Sequence, residues 1–202
     1  MLLNEDKNAM LRRELTEGTI ETVAALGLEN TTTNAICKTC GVNEAYIYRF
    51  FSDKEDLIAK SFADADRRLL EVILDNYTVL NYESIDYESR CHVLFMKCWE
   101  YLMQHPAELT FYVRYYSSSF QKYAYKEHME RYIGLFEKMK TAFPATTDVR
   151  LVMHHILDTL LGEAMKQVSN PQEDSNTVAT KTFFLIFSVV KSFVNKDKLS
   201  RA

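Results

Sequence analysis

The stretch from Thr32 to Leu57, TTNAICKTCGVNEAYIYRFFSDKEDL, most constrains the fold, because two short helical patterns meet there at a tight turn. Thr32 or Thr33 is a suitable N-cap for the first pattern, since a short hydroxyl accepts hydrogen bonds from first-turn amides. Gly41 follows its end, where a helix often needs a residue with a positive φ. Asn43 would cap the second pattern. These features predict a helix-turn-helix, whose second helix can lie in a DNA major groove.

The overall composition indicates a packed and mostly helical protein. Of 202 residues, 47% are hydrophobic, and only five are Gly and three are Pro. No apolar run approaches the ~20 residues of a membrane span. The N-terminus lacks the basic-then-apolar pattern of a signal peptide. We therefore expect a cytoplasmic protein with four free thiols.

The charge distribution does not favour general nucleic-acid binding. The net charge is −4, and residues 1–60 carry seven Lys or Arg against ten Asp or Glu. Between residues 38 and 54, however, three basic residues outnumber two acidic ones. We expect weak non-specific affinity for DNA, with specific binding dependent on a dimer.

The rest of the chain shows the apolar periodicity of α-helices. About nine helices are predicted, with three in residues 1–53, a long one over residues 54–76 and five behind it. Ser84 is predicted to open the fifth helix, Pro106 the sixth, and Thr147 to cap the eighth. The last two helices carry apolar residues on two faces, so each must be covered on both sides. A partner subunit or a central core position would provide this cover.

Two residue pairs suggest catalysis or metal binding, but each lacks the further residues that such a site needs. Cys37-x-x-Cys40 has no second CxxC and follows no strand, so small core residues are the simpler interpretation. His154 and Asp158 share a helix face, but two groups do not make a metal site. No Ser-His-Asp order, Gly-rich phosphate loop or paired-carboxylate pattern is present. We predict no enzyme activity and no cofactor.

The stretch from Thr32 closely resembles the N-terminal signature of the tetracycline-repressor (TetR) family of transcriptional regulators. The matching elements are the paired Thr, Ile36, Gly41-Val42, Asn43, Tyr48-x-x-Phe51 and Lys54-Glu55-x-Leu57. The resemblance covers roughly the first quarter of the chain. It implies an all-α fold with a helix-turn-helix domain in residues 1–53, whose motif spans about 32–51. A linker helix over residues 54–76 would lead to an effector-binding and dimerisation domain in residues 77–202.

The expected DNA-binding residues lie around the second helix of the motif. Arg49 could contact a guanine edge or a phosphate, and Tyr46 a thymine methyl group. The resemblance implies phosphate contacts for Thr33, Tyr48 and Lys54. Ala45 stands where the family often has a small residue. The full expected set is Thr33, Asn43, Glu44, Ala45, Tyr46, Tyr48, Arg49 and Lys54.

An aromatic band between residues 95 and 125 suggests a ligand pocket, because Trp and Tyr combine apolar surface with a polar group. The resemblance places an effector cavity among helices five to seven. An acid such as Glu108 would favour a cationic ligand. Ordinary core packing is the alternative for each residue. The expected lining is Phe95, Trp99, Glu108, Tyr112, Tyr116 and Tyr123.

In the resembled family the last two helices form a four-helix dimer interface, which fits the two-faced apolar pattern. The residues predicted for this interface are Val152, Ile156, Leu160, Phe183, Phe187 and Val190.

The sequence therefore predicts a homodimeric, ligand-responsive transcriptional regulator. The family default is a repressor that a small, largely apolar or aromatic effector releases from a palindromic operator. One alternative is a helix-turn-helix module that binds a protein and has little DNA affinity. A thiol or metal enzyme using Cys37, Cys40 or His154 is another.

Overall fold

The computed structural model describes residues 2–199, and every regular element within them is helical. This confirms the predicted all-α class. The α-helices are α1 (Leu2–Leu26), α2 (Thr33–Cys40), α3 (Ala45–Phe50), α4 (Lys54–Asn76), α5 (Tyr87–Gln104), α6 (Pro106–Tyr116), α7 (Tyr125–Lys140), α8 (Val149–Ser169), α9 (Ser175–Val190) and α10 (Lys196–Leu199). Short 3₁₀ helices comprise Tyr77–Asn81, Ser119–Tyr123 and Lys191–Phe193. The ten α-helices agree with the predicted number of about nine, since α10 is a single turn of four residues.

Local caps define the two helices of the motif. The Thr32 hydroxyl accepts a hydrogen bond from the Ala35 amide at 3.1 Å, so the first of the two candidate threonines caps α2. Gly41 ends α2 with φ of 67°, a left-handed conformation that a Cβ disfavours. Asn43 Oδ1 accepts from the Ala45 amide at 2.9 Å at the start of α3. Thr32 and Gly41 thus have their predicted roles, whereas the N-cap of α3 is Glu44 rather than the predicted Asn43, which precedes it.

Two aspartates set the start of α4. Asp53 Oδ1 accepts a hydrogen bond from the Asp56 amide at 2.7 Å, and Asp56 Oδ2 accepts from the Ser52 amide at 3.0 Å. These bonds satisfy amides that the first helical turn leaves open. The helix then continues to Asn76, its predicted end.

Some boundaries in the C-terminal half differ from the predicted ones by one or two residues. Asp86 rather than Ser84 caps α5, and Asp148 rather than Thr147 caps α8. In both cases the carboxylate accepts hydrogen bonds from first-turn amides, a stronger interaction than a hydroxyl provides. Pro106 occupies the first position of α6 as predicted.

The described chain divides into two compact units. The first comprises the residues up to Arg67 together with Ala107–His128, and the second comprises Arg68–Pro106 and the residues from Met129 onward. The divisions fall within α4 and α7 and after the first residue of α6. The first unit therefore includes nearly all of α6 as well as the helix-turn-helix. The division of domains at residues 53 and 76 stays a prediction.

The core of the first unit lies under the helix-turn-helix. Its buried residues come from α1 to α4 and the turn before α4: Leu15, Ile36, Cys37, Ile47, Phe51 and Leu57. Helices α1 and α2 meet at Gly18, whose missing side chain makes room for the sulfur of Cys40. The Thr22 hydroxyl donates to the Thr39 hydroxyl at 2.9 Å across the same contact. This packing positions the short α3, which is too short to be stable alone.

Helix α6 packs within the first unit through aromatic and polar contacts. Tyr115 stacks on Phe62 with ring centroids 4.3 Å apart. The Tyr112 hydroxyl donates to Asp66 Oδ1 at 3.0 Å in a buried position. Arg114 donates to a backbone carbonyl of α1 at 2.7 Å.

The second unit is built mainly from α5, α7, α8 and α9. Trp99 Nε1 donates to Ser175 Oγ at 2.9 Å and so joins α5 to the start of α9. Phe183 lies between Phe95 and Phe187, with ring centroids 5.7 and 5.4 Å away. No helix within residues 2–199 combines the length and apolar character needed to cross a membrane.

Candidate nucleic-acid interface and apolar cavity

Helix α3 presents aromatic and basic side chains to solvent. Ile47 is its fully buried residue and anchors it to the core. On the other faces Tyr48 is 59% exposed, and Tyr46 and Arg49 are also exposed. Tyrosine rings and a guanidinium on an accessible helix can contact base edges and phosphates. The geometry is therefore that of a helix available to enter a major groove.

The eight expected DNA-binding residues lie on one continuous part of the first unit. They occupy the start of α2, the turn before α3, α3 itself and the start of α4. None of them is buried: Thr33, Asn43, Glu44, Ala45, Tyr46, Tyr48, Arg49 and Lys54. The structure thus leaves all eight accessible, and their contacts with DNA stay a prediction.

Two of these side chains also have structural partners. Asn43 uses its Oδ1 atom to accept a hydrogen bond from the Ala45 amide at the start of α3, which leaves its amide nitrogen for other contacts. Lys54 Nζ donates to the Thr31 carbonyl at 3.2 Å and lies 3.9 Å from Glu55. The ammonium group is therefore held near the start of α2, where open amide groups favour an anion.

Two arginines in this unit lie over phenylalanine rings. The Arg49 guanidinium is 5.5 Å from the Phe50 ring centroid, and that of Arg12 is 5.5 Å from the Phe51 ring centroid. Such contacts orient a guanidinium without neutralising its charge. Arg49 therefore keeps its charge available to a phosphate or a guanine.

The motif cysteines have the environment of packed core thiols. Burial is the largest cause that raises the pKa of Cys40, to about 11, and burial also raises the pKa of Cys37. Cys40 Sγ lies 3.4 Å from the Glu14 carbonyl oxygen, to which the thiol donates. A protonated thiol is a poor nucleophile and a poor metal ligand at neutral pH. Within residues 2–199 no three His, Cys, Asp or Glu residues lie together in a way that could hold a metal ion.

An apolar cavity of about 140 Å³ lies inside the second unit. Its walls come from α4, α5, α7, α8, α9, the 3₁₀ helix Tyr77–Asn81 and the segments after α7 and α9. None of the 21 lining residues is charged. Burial raises the pKa values of the lining Cys91 and Cys98 thiols, in each case to about 12. The cavity thus suits an apolar group.

The six residues expected to line a ligand pocket are divided between the two units, and their role in binding stays a prediction. Phe95 lines the cavity, and Trp99 stacks against Phe95 within the same unit, with ring centroids 6.3 Å apart. The other four belong to the first unit: Glu108, Tyr112, Tyr116 and Tyr123. Most of the aromatic band thus serves the packing of α6 or is exposed, as Tyr123 is. The cavity residues that the sequence did not single out include Tyr77, Tyr87 and Leu94.

Five of the six residues predicted for a dimer interface line the cavity from α8 and α9: Ile156, Leu160, Phe183, Phe187 and Val190. The sixth, Val152, is buried. The opposite face of α9 carries exposed apolar side chains, of which Leu185 is 66% exposed. Phe184, Val189 and, just beyond the helix, Phe193 are also exposed. The sequence indicated two apolar faces but did not show which of them points outward.

The N-terminal part of the chain is similar to a known protein family. Residues 15–60 match the family model described as bacterial regulatory proteins, tetR family. No protein of curated function matches the sequence.

Solved structures resemble the chain over most of its length. A TetR family transcription regulator from Marinobacter aquaeolei VT8 superposes with a TM-score of 0.74 at 14% identity, covering 96% of this chain and 100% of its own. A putative tetR family transcription regulator from Shewanella sp. PV-4 gives 0.72 at 16% identity, covering 92% and 98%. The regulator FadR from Bacillus subtilis, solved in complex with stearoyl-CoA, gives 0.66 at 17% identity, covering 87% and 97%.

These TM-scores show a shared fold, and the family model matches the segment that contains the helix-turn-helix. TetR-family proteins are DNA-binding transcription factors rather than enzymes. Residues 15–60 thus match the tetR family's model, and the chain shares the all-α fold of solved TetR-family regulators over most of its length.

Proposed function

We propose that the protein is a homodimeric repressor that binds a palindromic operator and is released from it by an apolar effector. The observation that carries this proposal is the exposed surface of α3, where Tyr46, Tyr48 and Arg49 project from a buried anchor in a family-matched motif. A single six-residue helix offers few contacts. Two such helices in a dimer would bind successive major grooves and so provide specific affinity. An operator partner also implies a cytoplasmic location.

The exposed apolar face of α9 supports the dimer. Phe184, Leu185 and Val189 project from one side of the helix and are each about half exposed or more. A surface of this kind commonly marks an association site. We propose this outer face as the partner contact, in place of the inner residues predicted from the sequence.

A charge on the outer face of α9 tests the dimer. Leu185→Glu should shift the protein to a monomer in sedimentation experiments, because a carboxylate buried in an apolar interface loses its water. Ile133→Glu introduces the same charge at another exposed aliphatic residue, on α7, and should leave the dimer intact. A dimeric Leu185→Glu variant would rule out this interface.

The cavity supports an apolar effector. Its uncharged lining favours hydrocarbon, and FadR from Bacillus subtilis, which shares the fold, binds stearoyl-CoA. Ile73 in the cavity wall and Leu57 in the helix-turn-helix core belong to the same helix, α4. A ligand that binds one position of α4 better than another would shift the population of operator-binding dimers.

Selection of bound sequences from a random DNA pool tests the operator proposal directly. The expected result is a palindrome with two half-sites, whose binding weakens steeply as salt is raised. Tyr48→Ala and Arg49→Ala should weaken binding to that sequence, while Lys97→Ala on α5 should not. A folded dimer that enriches no sequence would refute operator binding by the free protein.

The acidic N-terminal region favours a second candidate, a protein-interaction module. Residues 1–60 carry more acidic than basic side chains, which opposes binding to phosphates. The two functions differ in salt dependence, since binding through an apolar protein surface would persist at high salt. A salt-insensitive complex with a protein, and none with DNA, would decide for the module.

A further inference from the structure

Arg90 is a buried cation for which the described part of the chain provides no carboxylate partner. It lies on α5 and is 3% exposed. Its Nη1 atom donates to the Leu80 carbonyl at 2.6 Å, while its Nε atom has no hydrogen-bond partner within residues 2–199. A buried guanidinium usually pairs with an acid, because removing an isolated charge from water is unfavourable. Arg90 therefore retains the capacity to bind an anion.

The acid nearest to Arg90 along the helix does not supply this partner. Asp86 is the cap of α5 and accepts a hydrogen bond from the Ser89 amide at 2.9 Å. Hydrogen bonding to Ser89 is the main cause that lowers the pKa of Asp86, and Arg90 is the smallest of the causes. Asp86 thus serves the helix start rather than the guanidinium.

Arg90 lies beside one end of the apolar cavity, which we call the tyrosine end and which consists of Tyr77, Tyr87 and Cys91. The Arg90 guanidinium is 5.4 Å from the Tyr87 ring centroid. A second cation, Lys138 Nζ, is 5.6 Å from the Tyr77 ring centroid. Both rings line the cavity, so two cations flank the same end of an otherwise apolar space.

The polar groups at the tyrosine end do not neutralise these cations. The Tyr87 hydroxyl and the Cys91 thiol share a hydrogen bond. Burial raises the pKa of Tyr77 and of Tyr87, and raises that of Cys91 to about 12, so all three stay protonated at neutral pH. They are uncharged hydrogen-bond donors. The remaining lining residues are uncharged as well, so the charges at this end come from the residues around it: Arg90 and Lys138, and the carboxylates of Asp86 and Glu88, which also act on Cys91.

We infer that the effector is an amphipathic carboxylate, whose apolar part fills the cavity and whose carboxylate pairs with Arg90 at the tyrosine end. This inference rests on the proposed effector role of the cavity. A guanidinium binds two carboxylate oxygens in a fork geometry, and the tyrosine hydroxyls can donate to the same oxygens. Arg90 is not part of the cavity wall in this structure, so the proposed pairing requires the Tyr87 ring to move off the guanidinium.

The inferred ligand has the opposite charge to the one suggested by the sequence. A cationic ligand was expected from Glu108, which belongs to the first unit and not to the cavity wall. The volume of about 140 Å³ is close to that of cavities that hold a benzene-sized group. Acids with a short alkyl chain or a single ring are therefore the best first probes, and longer chains require the cavity to enlarge.

A matched set of ligands tests the charge preference on the unmodified protein. Octanoate, octanol and octylamine share one chain length and differ in the charge of the head group. Binding can be followed by calorimetry or by the fluorescence of Trp99, the single tryptophan, which stacks on the cavity residue Phe95. Octanoate should bind about tenfold more tightly than octanol, as a charge-assisted hydrogen bond provides, and octylamine should bind most weakly.

Variants test which side chain causes the tighter binding of octanoate than of octanol. Arg90→Met should remove the octanoate advantage and leave octanol affinity within about twofold, whereas Arg90→Lys should retain part of it. Lys97→Met is the control, because it removes a positive charge from an exposed position of the same helix, where Lys97 pairs with Glu100 at 3.0 Å. If Arg90→Met does not fold, Lys138→Met and the ligand series on the unmodified protein test whether the cations at the tyrosine end favour a carboxylate. Lys138→Met should weaken octanoate binding and not octanol binding.

The outcomes separate the inference from the function on which it rests. Equal affinity for octanoate and octanol, with both releasing operator DNA, would refute the inference that the effector is a carboxylate. The proposal of an apolar effector would then be retained. Tighter binding of octanoyl-CoA that Arg90→Met does not alter would also overturn it, in favour of a thioester. Absence of binding by all these probes would remove the apolar effector itself, and the inference with it.

Discussion

The contact between α1 and α2 at Gly18 allows a quantitative prediction. A Cβ placed on Gly18 would lie 2.1 Å from Cys40 Sγ, far inside the distance of about 3.5–4.0 Å at which heavy atoms attract. Alanine in the interior of a helix is intrinsically favoured over glycine by about 0.5–1 kcal/mol. Overpacking a close contact opposes this gain by about 1–3 kcal/mol. Gly18→Ala should therefore lower the free energy of unfolding by about 1–2 kcal/mol.

Removal of the sulfur should reverse the effect. Cys40→Ala alone loses the packing of one heavy atom, which lowers stability by about 1 kcal/mol. In its absence the added Cβ meets only the Cβ and amide nitrogen of residue 40, at 3.6 and 3.7 Å, which are ordinary contacts. The double variant should be within about 0.5 kcal/mol of the original protein, which implies a coupling energy of about 2 kcal/mol between the two positions.

Urea denaturation followed by circular dichroism measures these values, at one fixed protein concentration because a dimer's stability depends on it. Gly134→Ala is the matched control, since a Cβ there meets nothing within 4 Å in the middle of α7. It should stabilise the protein by about 0.5–1 kcal/mol. If the effects of Gly18→Ala and Cys40→Ala simply add, or if Gly18→Ala stabilises, the proposed close contact does not exist.

Three further changes follow from the caps and the thiols. Thr32→Ala should lower the free energy of unfolding by about 1 kcal/mol in the same assay, and Thr33→Ala by clearly less, since Thr32 is the cap. Gly41→Ala should lower it by about 1–2 kcal/mol because φ is 67°, and an unchanged value would argue against the left-handed conformation. Burial raises the pKa of Cys98 from 9.0 to about 12, so its contribution is complete below about pH 9 and is lost as the pH rises towards 12. Cys98→Ala should flatten that part of the pH profile, and an identical slope in both proteins would exclude the thiol as its cause.

The helix-turn-helix was predictable because its signals are local. Thr32, Gly41 and Asn43 act on amides and dihedral angles within a few residues of themselves, so their roles can be inferred from the sequence alone. The ligand cavity depends on contacts between distant residues. Tyr112, for example, bonds to Asp66, 46 positions earlier in the chain, and this contact belongs to the packing of α6. Aromatic residues recur along a helix at the same spacing whether they line a pocket or fill a core, so the sequence does not distinguish the two.

The position of Arg90 in the helical pattern of α5 is itself informative. Tyr87, Cys91, Leu94 and Cys98 line the cavity at intervals of three and four residues along α5. Arg90 lies on the same stripe, where a charged residue is unusual and requires a partner. The sequence therefore carried a signal for the cation that we propose to bind the effector, although not the identity of its partner.

The two faces of α9 place the proposed effector and the proposed partner subunit on opposite sides of one helix. Phe183 and Phe187 line the cavity, while Phe184 and Leu185, adjacent in sequence, are exposed. A ligand that displaces these close-packed inner side chains would strain the helix that carries them, because protein interiors transmit strain. Ligand affinity and dimer affinity would then be thermodynamically linked, and each would change the other by the same factor. If both proposals hold, the apolar character of α9 on its two faces would itself be a means of regulation, which a helix with a single apolar stripe would not provide.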